Sequence, residues 1–144
     1  MRFFITDRTF VGTNVLVYAH DQDGAWKRER ALHCLAELWD SGGGRLSTQV
    51  LQEFVVNITQ KIKQPMARSA AREVVRTYTS WVKSAITPGT VIRASEISEA
   101  WQTSFWDGMI LAAAEQDGVA ELLSEDMAHG QTIAGVKVRN PFLA

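Results

Sequence analysis

A single cysteine, Cys34, leaves no partner for an internal disulfide, and such a chain suits a reducing compartment. At 144 residues it is still long enough to bury a core without staples. Long apolar runs are missing as well. Nothing approaches the roughly 18 residues of a membrane-spanning helix. The opening Met1-Arg2-Phe3-Phe4-Ile5-Thr6-Asp7 lacks the small-residue cleavage site of a signal peptide, so a cytoplasmic location without membrane attachment is expected. Charge of one sign is not in excess: 15 Lys and Arg against 16 Asp and Glu leave a net charge of −1. Such a chain exerts no global pull on nucleic acid, and any contact must use a local patch such as Lys27, Arg28, Arg30, Lys61 and Lys63. Neither low-complexity tracts nor internal repeats occur, so one globular domain over residues 1–144 is expected. The G-x-x-x-x-G-K-[ST], G-x-G-x-x-G and G-x-S-x-G signatures are absent, which argues against nucleotide-binding and α/β-hydrolase classes.

What is present alternates between strand and helix. Thr9-Phe10-Val11 reads as a short buried strand, and Val15 to Ala19 as a helix capped by Thr13 or Asn14. An amphipathic helix follows from Ala25 to Trp39, with Cys34 on its apolar side as a small buried hydrophobe, and Ser41-Gly42-Gly43-Gly44 ends it. Arg45-Leu46-Ser47 is a second strand, after which Ser47 or Thr48 caps a helix with the face Val50/Leu51, Phe54/Val55, Ile58 and Ile62 that Pro65 closes. A helix from Arg68 to Ile86, a strand at Thr90-Val91-Ile92 and a helix from about Ala94 to Gln102 come next. Ser104-Phe105-Trp106-Asp107 opens an Ala-rich helix that ends at Gly118. Ala120 to Ser124 and Lys137 to Arg139 are the last strands. The alternation predicts a parallel sheet covered on both faces, with its site at the carboxyl ends of the strands.

Three acids stand at element ends. Asp126 follows a strand, where Asp is most often a solvated turn former. Asp107, three residues after Ser104, is most simply a capping-box acid. Glu53 lies off the main apolar stripe of its helix and reads alone as a solvated glutamate. Each signal is weak by itself, and they gain meaning only if the fold brings them together. His20-Asp21 lacks matching partners in His33 and His129, which argues against a histidine-based metal site. The five tryptophans, Trp26, Trp39, Trp81, Trp101 and Trp106, read as core or interface anchors before base-stacking platforms.

Four segments in order carry a family resemblance. Phe10-Val11-Gly12-Thr13-Asn14-Val15-Leu16-Val17-Tyr18-Ala19 resembles the opening strand and D-T-N-x-L-V-Y-A motif of PIN domains, with Gly12 in place of the Asp. Leu46 to Phe54 resembles the second motif, whose glutamate matches Glu53. Ser104 to Ala114 resembles the third, whose aspartate matches Asp107. Leu123-Ser124-Glu125-Asp126, with Gly130 and Asn140-Pro141-Phe142 after it, resembles the fourth acid and the terminal strand. The compact spacing is similar to that of small VapC-type toxin ribonucleases of bacterial toxin–antitoxin pairs.

That resemblance implies a three-layer α/β/α sandwich around a central, mostly parallel sheet. It also implies Mg²⁺ or Mn²⁺ dependence, cleavage of RNA, a homodimer, and inhibition by a small antitoxin protein. Asp107 would be a direct metal ligand, Asp126 and Glu53 would hold metal-bound waters or a second ion, and Asn14 would orient the network. The chemistry agrees, since hard divalent cations prefer carboxylate and water oxygens. Gly12 supplies no such oxygen, so the fold is expected to survive while activity suffers. Two alternatives stay open: a PIN-fold module that binds RNA or an antitoxin without cleaving, and a receiver-like signalling domain, for which Lys137 is the sole lysine near the last strand.

Overall fold

The computed structural model describes residues 8–143. The segment on which the absence of an export signal was judged, residues 1–7, lies outside the described residues. Five strands form one sheet in the order β2-β1-β3-β5-β4: β1 (Thr9–Val11), β2 (Gly44–Arg45), β3 (Glu121–Leu123), β4 (Thr132–Ile133) and β5 (Val136–Arg139). β1 pairs in parallel with β2 and β3, β3 in parallel with β5, and β4 runs antiparallel beside β5. Successive residues of a strand face opposite sides of the sheet. In β1 the residues Thr9, Phe10 and Val11 are all at most 1% exposed, and so are Leu122 and Leu123 in β3, so both faces are covered. This is the three-layer arrangement expected of a mostly parallel sheet.

The covering helices are α1 (Thr13–His20), α2 (Ala25–Ser41), α3 (Thr48–Val56), α4 (Arg68–Tyr78), α5 (Pro88–Trp101) and α6 (Phe105–Gln116). Within the described residues no helix is long and apolar enough to cross a membrane. α2 ends where Gly42 takes the left-handed conformation at φ 72°, and Ser47 caps α3 by accepting from the Val50 amide. α5 and α6 pack so closely that a Cβ on Gly108 would stand 2.6 Å from the Ala94 carbonyl oxygen. Glycine at 108 is therefore a packing requirement of that helix pair.

Several boundaries differ from the sequence reading. Thr90-Val91-Ile92 is not a strand but the first turn of α5, which begins at Pro88 rather than near Ala94. Thr87 and Thr90 form a reciprocal capping box with Pro88 just inside it, and these start signals outweigh a short β-branched run. The helix expected from Arg68 to Ile86 stops at Tyr78 and tightens into a 3₁₀ turn over Thr79–Trp81. That turn seats Tyr78 and Trp81 against Trp39, with centroids 5.3 and 4.6 Å from the Trp39 ring, and the Trp81 carbonyl accepts from the Leu46 amide. Neither Thr13 nor Asn14 caps α1, because the cap position is Gly12 and no side chain fills it. The short strand β4 was not anticipated. It turns into β5 through Ala134 and Gly135, both at positive φ, the geometry of a tight hairpin.

Candidate active site

β1 and β3 end level, since Val11 pairs with Leu123. Gly12 therefore lies beside the Leu123-Ser124 end of β3, and its amide donates to the Leu123 carbonyl at 2.9 Å. The approach is tight. A Cβ on Gly12 would sit 2.7 Å from the same oxygen, although the backbone there is ordinary extended chain at φ −73°.

This junction floors a cavity of about 250 Å³ lined by Gly12, Thr13, Asn14, Glu53, Asn57, Asp107, Ile110, Ser124, Asp126 and Met127. Gly12, Asn14, Glu53, Asp107 and Asp126 thus reach one crevice. Glu53 arrives from the middle of α3, Asp107 from the first turn of α6, Asp126 from the loop after β3, and Asn14 from the first turn of α1. The crevice opens at the carboxyl ends of parallel strands, where such sheets place their sites.

Neutral donors steady Glu53 and Asp126. Thr13 Oγ1 donates to Glu53 Oε1 at 2.6 Å, and Gln49 Nε2 donates to Glu53 Oε2 at 3.2 Å. Asn14 Nδ2 donates to Asp126 Oδ2 at 2.6 Å. The Asp107 amide donates to Ser104 Oγ at 3.0 Å, so the cap expected at Ser104 forms and leaves the Asp107 carboxylate facing the crevice. Burial pushes the Asp107 carboxyl above its usual range, the Ser104 hydroxyl pulls it back, and the charges of Asp126 and Glu53 push it up again. The site therefore holds more negative charge than its own donors neutralise.

Glu125, next to Asp126, is drawn elsewhere. Tyr18 donates to it at 2.9 Å and Lys27 Nζ pairs with it at 2.5 Å. Burial first, then the bond to Glu125, raises the Tyr18 phenol above its ordinary value. Lys27, expected from the sequence to form part of a basic patch for RNA, is thus already paired with an acid. Lys61 and Lys63 are exposed, and among the described residues neither has an ion-pair partner. Lys61 lines a second hollow with Asn14, Val17, Tyr18, Asp21, Asn57 and Ile62.

Sequence reasoning passed over Thr13, Gln49 and Asn57. Gln49 is an amide only 5% exposed, a burial that the fold imposes and the sequence does not mark. Asn57 opens a π-type turn over Asn57–Lys61 and donates to the Glu53 carbonyl at 2.8 Å, and such turns recur at functional sites. His20 packs edge-on between Phe54 and Tyr78 at 5.6 and 6.4 Å. Burial lowers its proton affinity.

No three acidic, histidine or cysteine side chains among the described residues are already drawn together as a ligand cluster. The donor set nonetheless fits a hard divalent cation, because it consists of carboxylates whose mutual repulsion is visible at Asp107. Asp107, Asp126 and Glu53 are the residues that would hold it.

An α/β sheet with an acidic crevice at its strand ends defines the class, and the comparisons define the family. The PIN domain model matches residues 9–132, and the chain belongs to the PIN domain family. That membership removes the receiver-like alternative. No curated protein sequence matches the chain significantly. Solved structures that share its fold include the following three. The sarcin-ricin loop cleaving toxin VapC20 of Mycobacterium tuberculosis is 19% identical at a TM-score of 0.60, covering 82% of this chain and 89% of that one. VapBC2 from Rickettsia felis, bound to a DNA fragment from its promoter, is 16% identical at 0.58, covering 92% and 97%. FitAcB from Neisseria gonorrhoeae is 15% identical at 0.60, covering 93% and 98%.

Proposed function

We propose that this PIN domain is a VapC-type toxin endoribonuclease of a type II toxin–antitoxin pair, impaired by Gly12. The carrying observation is the meeting of Glu53, Asp107 and Asp126 in one crevice beside Gly12, from three elements up to 73 positions apart in sequence, counted from Glu53 to Asp126. When bound, Mg²⁺ or Mn²⁺ would acidify water and neutralise charge that develops on a phosphodiester. Asp107 is the proposed direct ligand, and Glu53 and Asp126 the acceptors that orient water. Thr13 and Gln49 fix the Glu53 carboxylate, while Asn14 fixes that of Asp126, so the acceptors are oriented before substrate arrives. Gly12 leaves the crevice one carboxylate short.

The partners proposed are an RNA substrate and a small antitoxin protein, with a homodimer as the working assembly and the cytoplasm as its place. The named relatives include an RNA-cleaving toxin and toxin–antitoxin complexes, which supports this reading. The missing acid favours one second reading, a PIN-fold module that binds RNA or an antitoxin without cutting. Mn²⁺ titration followed by electron paramagnetic resonance, run beside cleavage of a structured RNA, separates the two. The nuclease reading expects weak Mn²⁺ binding and slow, Mn²⁺-dependent cleavage, both lost in Asp107→Asn. RNA that is bound and left intact, with Mn²⁺ uptake indifferent to Asp107→Asn, would assign the chain to the binding module.

A further inference from the structure

Beside the acidic crevice lies a larger trough of about 520 Å³, lined by Thr48, Gln49, Gln52, Ala85, Ile86, Trp106 and Met109. Its composition differs from that of the crevice. None of these side chains carries a charge, and Trp106, Met109 and Ile86 give it broad apolar walls, while Thr48, Gln49 and Gln52 add hydroxyl and amide groups. Trp106 is 63% exposed, an unusual state for an indole in the first turn of a packed helix.

Two links make trough and crevice one surface. Trp106 precedes Asp107 directly, and Gln49 joins the cavities with its amide, donating to Glu53 Oε2 at 3.2 Å and to the Trp106 carbonyl at 3.3 Å. On the other side, Asn14 and Asn57 line both the crevice and the hollow that holds Tyr18 and Lys61. Three cavities therefore follow one another: an uncharged one with an aromatic wall, an acidic one, and one edged by Lys61 on its rim and by Asp21.

We propose that this series is a track for single-stranded RNA, in which the trough takes a nucleobase that stacks on Trp106 while Lys61 meets a backbone phosphate beyond the crevice. The proposal rests on the ribonuclease reading and adds where the nucleotides flanking the reacting phosphate go. Charge separates base from phosphate, because an uncharged trough suits the neutral base and a lysine suits the anion. A wholly apolar protein segment fits the trough less well, since it would strip water from Gln52 and Thr48 without replacing their hydrogen bonds. A base edge satisfies them. Gln52 is the residue positioned to discriminate between bases.

Labelled single-stranded oligo-A, oligo-C and oligo-U, and a ribose-phosphate oligomer of equal length without bases, can be titrated at low salt by fluorescence anisotropy. Stacking contributes about 1–3 kcal/mol per base, so Trp106→Ala should weaken binding of the base-bearing oligomers about 5- to 150-fold. Trp106→Phe should keep most of that affinity. The baseless oligomer should bind the unaltered protein and Trp106→Ala alike, while Lys61→Ala weakens every oligomer. Gln52→Ala should change the ranking of A, C and U. Trp106 and Gln52 are both exposed, so these variants are expected to fold, which circular dichroism checks. Equal binding of base-bearing RNA by the unaltered protein and Trp106→Ala would overturn the trough assignment and leave the ribonuclease reading standing. Trp106→Ala that changes only the elution volume of the protein would assign the trough to a protein contact instead. No binding of any oligomer by the unaltered protein would overturn both.

Discussion

Gly12 combines an absence of chemistry with a tight fit. A side chain there would bring Cβ within 2.7 Å of the Leu123 oxygen, so the level ends of β1 and β3 must part by a few tenths of an ångström to admit any other residue. Overpacking of this kind costs about 1–3 kcal/mol, less than the 5–15 kcal/mol by which a domain is typically stable. The protein should therefore tolerate an acid at 12, though with lower stability than the sequence alone would suggest. Asp107 carries the opposite imbalance. Its carboxyl is raised above 3.8 by burial and by the charges of Asp126 and Glu53, so its ionised form opposes folding. Stability from the protonated form is full below the ordinary carboxylate value and lost as pH rises through the raised one. Asp107→Asn should accordingly melt at a higher temperature than the unaltered protein at pH 7 without added metal, and the gain should shrink as pH falls through the raised value toward the ordinary carboxylate range. A melting temperature unchanged or lower at pH 7 would contradict the strain assigned to Asp107. These residues stood out as candidates because motif residues recur in order along the chain. The contact that confines Gly12 was not, since the facing carbonyl belongs to Leu123, 111 positions away, and only the strand register brings it close.

Among the elements, helices with strong end signals were read well and those shaped by packing were not. Ser47 and Ser104 cap α3 and α6 as their sequences suggest, and these two helices carry Glu53 and Asp107. The β-branched run Thr90-Val91-Ile92 misled because Thr90 serves the capping box with Thr87 and only Thr90 of the three is buried. Loss of a cap of this kind costs about 1 kcal/mol. Thr87→Ala should lower stability by that amount in urea denaturation, with no effect on Mn²⁺ binding, since α5 contributes no side chain to the crevice. A neutral effect on stability would mean that Pro88 alone starts the helix. The end of α4 at Tyr78 was hidden for another reason. Its apolar spacing continues past Tyr78, and what stops it is the docking of Trp81 on Trp39 and over Gly44, contacts between distant segments.

For the molecule as a whole, the sheet order β2-β1-β3-β5-β4 converts scattered signals into a site. Each of the three acids, taken on its own element, has an ordinary structural explanation. The parallel pairing of β1 with β3 gives them a common crevice, and a period-2 or period-3.6 pattern contains no information on that pairing. The family motifs supplied it indirectly, by fixing which residues must meet. The same sheet leaves the crevice flanked by an uncharged trough and a hollow edged by Lys61 and Asp21, the series proposed as an RNA track on a chain of net charge −1. The crevice is proposed to be a divalent-metal nuclease site that lacks one ligand. Mn²⁺-dependent cleavage of a structured RNA should be measured for the unaltered protein, for Gly12→Asp, and for Gly12→Asp combined with Asp107→Asn, at matched metal. Restoring a ligand oxygen should raise cleavage by orders of magnitude in the single variant and not in the double one, because ligands of one site act as a unit. Equal cleavage by the unaltered protein and Gly12→Asp, with the variant folded, would contradict the account.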